Sequence, residues 1–98
     1  MTEQAFWTYI LASRKHGTLY VGHTSNLSQR VEHHRAEAVP GFTRKYHVHR
    51  LVHAEPFANR EDARQREHSL KRWPRAWKVQ LIEADNPNWD DLFDRYGA

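Results

Sequence analysis

The chain has no cysteine, and none of its apolar stretches approaches the length of a membrane span. Without cysteine it can form neither a disulfide nor a thiolate-ligated zinc site, and its composition fits the reducing cytoplasm. A transmembrane helix needs about 20 consecutive apolar residues, so we expect no membrane segment. The N-terminal stretch MTEQAFW has neither the basic nor the apolar region of a signal peptide. We therefore expect a cytoplasmic protein.

Internal repeats and low-complexity tracts are also absent, and the one evident joint is the segment EAVPGFTRKYH around Pro40. A chain of 98 residues suffices for one modest hydrophobic core, so we expect a single domain over residues 1–98. The composition is 39% hydrophobic and 28% charged, which is typical of a folded globular protein rather than a disordered one.

Acidic residues are in modest deficit. The chain carries 15 Lys and Arg against 12 Asp and Glu, which gives a formal net charge of +3, and it has eight histidines. A basic excess favours a polyanionic partner such as nucleic acid, although many ordinary protein surfaces carry as much charge. Charge alone therefore does not decide between a nucleic-acid-binding protein and one that binds other partners or carries metal.

Two short segments near the start, 6–11 and 18–22, are rich in aromatic and β-branched residues and predict a β-hairpin around loop 12–17. If the loop is symmetric, Tyr9 lies directly opposite Tyr20 at cross-strand contact distance. The two phenols either stabilise the hairpin or take part in chemistry. A third strand is predicted over 47–54, where Pro56 would close it.

The segment 24–38 predicts a helix with Asn26 as N-cap. Its apolar stripe, which includes Leu27 and Val31, also carries His34 and is bordered by Arg30. This helix therefore directs two polar side chains toward its packed side.

A second helix is predicted over 59–73, with Asn59 as N-cap. Its inward stripe places Glu67 between Ala63 and Leu70. A buried carboxylate without a partner is costly, so Glu67 requires a cation. An arginine, a lysine or a bound metal could supply it, and a buried ion pair with Arg30 is the structural alternative to a metal site.

A third helix is predicted over 74–84, opening at Pro74 and burying Trp77, Leu81 and Ile82. The segment 85–93 predicts a turn that packs back onto the sheet through its apolar residues. We interpret the four tryptophans as packing residues and not as platforms for nucleic-acid bases.

Several segments fall in an order that matches a known pattern. The hairpin carries TYI at 8–10 and YVG at 20–22; then follow NLSQRVEHH, GFTRKYHVHRLVHAEPF, REHSLKRW and KVQLIEADNPNW. Together they resemble the GIY-YIG nuclease superfamily, with a degenerate first tripeptide, an R-x3-H helix and an E-x2-L-K-x-W helix. The similarity covers about residues 6 to 92 and is greatest to small single-domain bacterial members. These are related to the N-terminal nuclease domain of the excision-repair UvrC subunit.

The resemblance implies an α+β fold in which a small three-stranded antiparallel sheet is flanked by three or so helices. It implies metal-dependent hydrolysis of DNA phosphodiester bonds by water, structure-directed or weakly specific. The alternative is a nucleic-acid-binding module with weak or no catalysis that relies on a partner protein for targeting. The oligomeric state and the DNA substrate are left open.

Five residues match the catalytic positions of the family: Tyr9, Tyr20, Arg30, His34 and Glu67. The two tyrosines would position and deprotonate the attacking water, with Tyr20 nearer to it. Arg30 would hold the scissile phosphate. His34 would bind a phosphate oxygen or take a proton from a tyrosine, and a structural polar contact is the alternative. Glu67 would hold Mg²⁺ or Mn²⁺, for which one carboxylate suffices when water and phosphate complete the coordination.

A further set of residues is predicted to contact DNA outside the reacting centre: His23, Arg14, Lys15, Arg44, Lys45 and Tyr46. His23 directly follows YVG, and the next two lie at the hairpin tip. The last three belong with Thr43 to a basic and aromatic loop that either follows a DNA backbone or is an ordinary solvated loop. His47 and His49 form an H-x-H pair on the predicted third strand, and such a pair can bind zinc, but no third ligand has a defined spacing. Solvated strand histidines are the commoner arrangement.

Overall fold

The structure, a computed structural model, describes residues 5–36 and 41–96, without the side chains of Phe42 and Arg44. Three strands, β1 (Phe6–Ala12), β2 (Leu19–Thr24) and β3 (Arg50–Phe57), form an antiparallel sheet of order β2-β1-β3. The helices are α1 (Leu27–Arg35), α2 (Phe42–Tyr46), α3 (Arg60–Arg72), α4 (Arg75–Asp85) and α5 (Phe93–Tyr96). The α+β prediction is confirmed. Along the described ranges, no helix combines the length and the apolar character that crossing a membrane requires.

The central strand β1 is buried on both faces because helices cover both sides of the sheet. On one face Tyr9 and Leu11 pack with Val31 of α1. On the other face Ile10 packs with the apolar residues of α3 and α4, chiefly Leu70 and Ile82. A strand buried on both faces loses the alternation of polar and apolar residues, which is why β1 reads as a nearly continuous apolar run.

The hairpin register differs from the prediction. Tyr9 pairs with Gly22, and Tyr20 pairs with Leu11, so the two tyrosines are diagonal neighbours on one face with ring centroids 6.4 Å apart. The physical reason is the position of the loop, which spans 13–18 and is closed by a hydrogen bond from Ser13 N–H to the Thr18 carbonyl at 3.0 Å. The displacement is two residues, so both phenols keep the face that the sequence predicts.

The third strand begins and ends later than predicted. His47 adopts a left-handed conformation with φ 56° and caps α2, so the strand starts only at Arg50. Pro56 lies inside β3, paired with Trp7, because β3 is an edge strand where the missing N–H is tolerated. The predicted placement of His47 on a strand is therefore wrong. The described part of the chain contains no group of three or more His, Cys, Asp or Glu that could hold a metal ion.

The two asparagine caps are confirmed. The Asn26 side chain accepts a hydrogen bond from Gln29 N–H at 3.2 Å, and the Asn59 side chain accepts one from Asp62 N–H at 2.9 Å. Helix α1 ends at Arg35 rather than at residue 38, and residues 37–40, where the joint was predicted, lie outside the described residues.

Fewer apolar side chains of helix α4 are buried than the sequence predicts. Ile82 is fully buried, whereas Trp77 is 53% exposed, so its assignment to the core was wrong. The following turn does pack back onto the sheet: Trp89 is fully buried, and Leu92 N–H donates to the Leu51 carbonyl at 2.7 Å. The short helix α5 after this turn was not predicted.

Candidate active site

The residues that match the catalytic pattern lie around the edge strand β2. Tyr9 and Tyr20 occupy one face of the sheet, together with His34 of α1, whose ring centroid lies 5.4 Å from that of Tyr20. Glu67 of α3 approaches from the other face, where it contacts His23 of β2. The fold therefore brings residues distant in sequence to both sides of a single strand.

Gly22 lets the phenol of Tyr9 cross strand β2. A Cβ atom at Gly22 would lie 2.6 Å from the Tyr9 hydroxyl oxygen and 3.1 Å from Cε1 of Tyr20. Contacts this short require the rings to move, so the glycine of the YVG tripeptide leaves the space that the tyrosine of the TYI tripeptide occupies.

Tyr9 belongs to a buried chain of polar side chains. Its hydroxyl lies 3.5 Å from Nε2 of His34, and Nδ1 of that ring lies 2.9 Å from the Thr43 hydroxyl of α2. Burial, followed by the charge of Tyr20, raises the pKa of the Tyr9 phenol well above its ordinary value, although Arg30 opposes this. Tyr9 is therefore a neutral phenol at physiological pH. Tyr20 is only partly buried, which leaves its edge of the site open to a ligand.

Thr43 was expected in a loop that follows the DNA backbone. Residues 42–46 instead form α2, and the Thr43 side chain is buried against His34.

His34 is expected to make the stability of the protein depend on pH. Burial, reinforced by Arg30 and His33, lowers the pKa of His34 to about 4. In the unfolded chain the imidazole of His34 takes up a proton near its ordinary pKa of about 6.5, whereas in the folded protein it stays neutral down to about pH 4. The free energy of unfolding is therefore highest above pH 6.5 and decreases as pH falls toward 4. Between pH 7 and pH 5 the loss should be roughly 2 kcal/mol.

Urea unfolding of the wild type and of His34→Gln at both pH values gives the share of this decrease in unfolding free energy that is due to His34. The variant should lack that part of the decrease, and an identical decrease in both proteins would contradict the assignment. Burial works to raise the pKa of Glu55, but hydrogen bonds from His53 and Arg66 lower it to about 2. The effect of Glu55 on stability therefore changes with pH only below about pH 4.5, outside the range of this measurement.

Glu67 is partnered by an imidazole and an ammonium group. One carboxylate oxygen contacts Nδ1 of His23, and the other lies 2.6 Å from Nζ of Lys71, one helical turn away. Burial works to raise the pKa of Glu67, but the hydrogen bonds from Lys71 and His23 outweigh it and lower that pKa. The predicted alternative of an ion pair with Arg30 is therefore wrong. Lys71 was overlooked in the sequence, although its i, i+4 spacing from Glu67 signals the pair.

The donor set around Glu67 fits one kind of metal ion. Zinc normally takes three or four protein ligands, and the described residues offer no such group. Magnesium is satisfied by one carboxylate with water and phosphate oxygens, and Glu67 is ionised, partly exposed and on the rim of the site. Each carboxylate oxygen also has a second lone pair beyond its present contact.

Arg30 is exposed and has no ion-pair or hydrogen-bond partner among residues 5–36 and 41–96. Its charge nevertheless acts on the site, because it influences the pKa of both Tyr9 and His34. An arginine of this kind offers its full fork of donors to an anion.

The remaining predicted DNA contacts are distributed over the surface. Arg14 and Lys15 are exposed at the hairpin tip, and Lys45 and Tyr46 are exposed on α2, with Nζ 5.4 Å from the tyrosine ring centre. The side chain of Arg44 lies outside the described part of the structure. The hairpin tip is also held by Arg75, which donates to the Gly17 carbonyl at 2.8 Å and was not predicted.

Comparison with known proteins identifies the protein family to which a chain with this sheet and this site belongs. The family model described as "GIY-YIG catalytic domain" matches residues 5–80, and the chain belongs to this family. The family is one of nucleases, which use divalent metal and act on DNA.

Within the family, the chain is similar to proteins designated UPF0213. It is 38% identical to the UPF0213 protein NP_0776A of Natronomonas pharaonis over 76 residues, 78% of this chain and 88% of the relative. It is 32% identical to the UPF0213 protein OB0043 of Oceanobacillus iheyensis over 81 residues, 83% and 93% of the two chains. The solution NMR structure of the UPF0213 protein BH0048 from Bacillus halodurans superimposes with a TM-score of 0.55 at 27% identity, covering 90% and 93%.

Proposed function

We propose that the protein is a metal-dependent endonuclease that hydrolyses DNA phosphodiester bonds with weak sequence specificity or by recognising DNA structure. The observation that carries the proposal is the convergence of two phenols and Arg30 with the ionised Glu67 at the open edge of β2. The chain acts as one catalytic domain whose substrate contacts come from its own basic surface. Its affinity for DNA should therefore be low and steeply dependent on salt.

Arg30 binds the scissile phosphate. It is exposed and without a partner in the described ranges, and a guanidinium keeps its charge at any physiological pH. Two parallel donors orient the phosphate and stabilise the charge that develops on its oxygens during in-line attack.

The two tyrosines have different roles. Tyr20 is the more accessible phenol; it orients the attacking water, or takes a proton from that water when it is in its phenolate form. Tyr9 is buried and neutral; its hydroxyl lies 3.5 Å from Nε2 of His34 and its ring packs beside Tyr20, so it positions Tyr20 and the rim of the site. His34, which is neutral and 4% exposed, holds Tyr9 and does not reach the phosphate.

Glu67 would hold Mg²⁺ or Mn²⁺, which when bound supplies Lewis-acid stabilisation of the phosphate charge. His23 and Lys71 keep the carboxylate ionised and fix its orientation at the edge of β2. The DNA backbone would be guided at two further places, the hairpin tip with Arg14 and Lys15, and the helix α2 with Arg44, Lys45 and Tyr46.

A second candidate function is DNA binding without cleavage, with targeting by a partner protein. One observation favours it: both oxygens of Glu67 already have side-chain partners, His23 and Lys71, so the carboxylate is satisfied without a metal. The two functions predict different results. Cleavage requires the metal and the Tyr20 phenol, whereas binding without cleavage requires neither, so an experiment can separate them.

The test is cleavage of single-stranded, duplex and branched DNA at low salt with Mg²⁺, Mn²⁺ or EDTA, using wild type, Tyr20→Phe and Tyr9→Phe. We expect metal-dependent cleavage that Tyr20→Phe lowers by about 10²-fold or more, since removing a proton-transfer group typically has this effect. Tyr9→Phe should lower the rate less, by about tenfold, because it removes only one positioning hydrogen bond.

Tyr96→Phe is the matched control, because it removes the same atom from a tyrosine of α5 that packs on Trp7. Its rate should equal that of the wild type. Full cleavage in both site variants would exclude the proposed roles of the two tyrosines. Metal-independent binding without any cleavage by the wild type would reject the nuclease in favour of the binding module.

A further inference from the structure

The corner between α3 and α4 has an unusual surface. In the eight-residue stretch KRWPRAWK, residues 71–78, four side chains are cationic, two are tryptophans and none is acidic. Trp77 is the most exposed large hydrophobic side chain among the described residues, with 53% of its surface accessible. Exposing a tryptophan to this extent costs hydrophobic free energy that folding does not recover. This surface therefore needs an explanation that packing does not give.

Trp77 forms one wall of a surface cavity of about 360 Å³ whose other walls are Trp73, Gln80 and Leu81. The residues of α4 in this group have i, i+3, i+4 spacing and share one helix face. The cavity is apolar apart from the Gln80 amide, and its volume is several times that of a nucleobase. An aromatic ring can therefore enter it and lie against Trp77.

The cavity is held rigid from beneath. The Arg66 guanidinium lies 5.0 Å from the ring centre of Trp73, and Arg66 also donates two hydrogen bonds to Glu55, at 2.8 and 3.1 Å. Trp77 in turn packs edge-to-face on Trp73, with ring centroids 5.7 Å apart. The contact with Trp73 restricts the motion of the Trp77 ring, which reduces the entropy lost when a ligand stacks on it.

The charge around the cavity selects the ligand. Neither Arg72 nor Lys78 has an acidic partner in the described parts of the chain, and Arg75 donates only to the carbonyls of His16 and Gly17. Their positive charge is therefore uncompensated next to an exposed aromatic face. Single-stranded DNA combines unpaired bases, which stack on aromatic rings, with phosphates that pair with Lys and Arg.

From these observations we infer that the α3–α4 corner binds single-stranded DNA, with an unpaired base stacked on Trp77 and its neighbouring phosphates held by Arg72, Arg75 and Lys78. This site is separate from the cleavage proposed above and does not depend on metal. A duplex with an unpaired segment would engage the corner, whereas a continuous duplex would not, because its bases are already stacked.

The experiment measures fluorescence anisotropy of a labelled oligothymidylate of about 12 nucleotides, and of a duplex, in EDTA so that cleavage cannot intervene. Trp77→Ala should weaken binding of the single strand by about 5- to 150-fold, which corresponds to one lost stacking contact. Trp77→Phe keeps a ring and should retain most of the affinity. Binding of the duplex should change by less than about twofold in either variant.

The cations are tested by Arg72→Gln/Lys78→Gln, which should reduce the slope of log affinity against log salt by about 1.4 in magnitude. Arg64→Gln is the control, because Arg64 is an exposed cation of α3 that is already paired with Glu61. Unchanged single-strand binding by Trp77→Ala, or equal losses for both DNA forms, would overturn the inference. So would a change of oligomeric state in Trp77→Ala with unaltered DNA binding, because the corner would then be a protein interface. These results hold whether or not the protein cleaves DNA.

Discussion

Replacement of Glu67 by glutamine is expected to abolish metal-dependent cleavage, lowering the rate by about 10³-fold or more while leaving the protein folded. The amide has the shape of the carboxylate and still hydrogen-bonds to His23, but it carries no charge to hold a divalent cation. Titration calorimetry with Mg²⁺ in the presence of a non-hydrolysable DNA analogue should show the loss of metal binding directly.

Glu61→Gln provides the matched comparison. Glu61 lies on the same helix, is exposed and pairs with Arg64, so the same chemical change occurs without touching the site. Its cleavage rate should remain that of the wild type. If Glu67→Gln cleaved DNA normally with Mg²⁺, Glu67 would have only the structural role that its contacts with His23 and Lys71 provide, and the metal would have to bind elsewhere.

Replacement of Arg30 by alanine is expected to lower the cleavage rate by about 10²- to 10³-fold. The side chain is exposed and has no partner in the described ranges, so its removal leaves no buried charge unpaired and the free energy of unfolding should change by less than about 0.5 kcal/mol. Arg30→Lys should recover only part of the rate, because an ammonium group offers charge without the planar fork of donors.

The measurement is a single-turnover rate at saturating DNA, which separates the chemical step from binding. Arg35→Ala removes one positive charge from the same helix, where Arg35 pairs with Asp91 at 3.3 Å, and it controls for the general electrostatic attraction of DNA. A rate loss of the same size in both variants would assign the effect of Arg30 to long-range charge instead of contact with the phosphate.

Local sequence signals predicted the elements well. Asn26 and Asn59 cap the two helices where their side chains suggested, because capping depends on residues only three positions apart. The inward position of Ala63 and Leu70, and with them the proximity of Glu67 to the sheet, followed from helical spacing. These features are decided within one element, where spacing alone determines which residues share a face.

Features that depend on two elements were predicted less well. The register of the hairpin depends on where the loop closes, and the Ser13–Thr18 bond places Tyr9 opposite Gly22. The contact of Thr43 with His34 depends on how α2 packs against α1, for which the sequence contains no local signal. Trp77 was assigned to the core because it is hydrophobic. Helix α4 packs on the sheet with only part of its apolar face, which includes Ile82 but leaves Trp77 exposed.

The position of the site on β2 has a consequence for self-association. In the described sheet β2 has a neighbour only on its inner side, so its outer backbone groups can accept another strand, which is the usual route to aggregation of β proteins. The exposed cations on either side of this edge, Arg30 and Lys71, would face identical cations in an approaching copy. We expect the same charges that draw a polyanion to this edge to keep copies of the protein apart, so that a solution of the protein becomes more prone to associate as salt screens them.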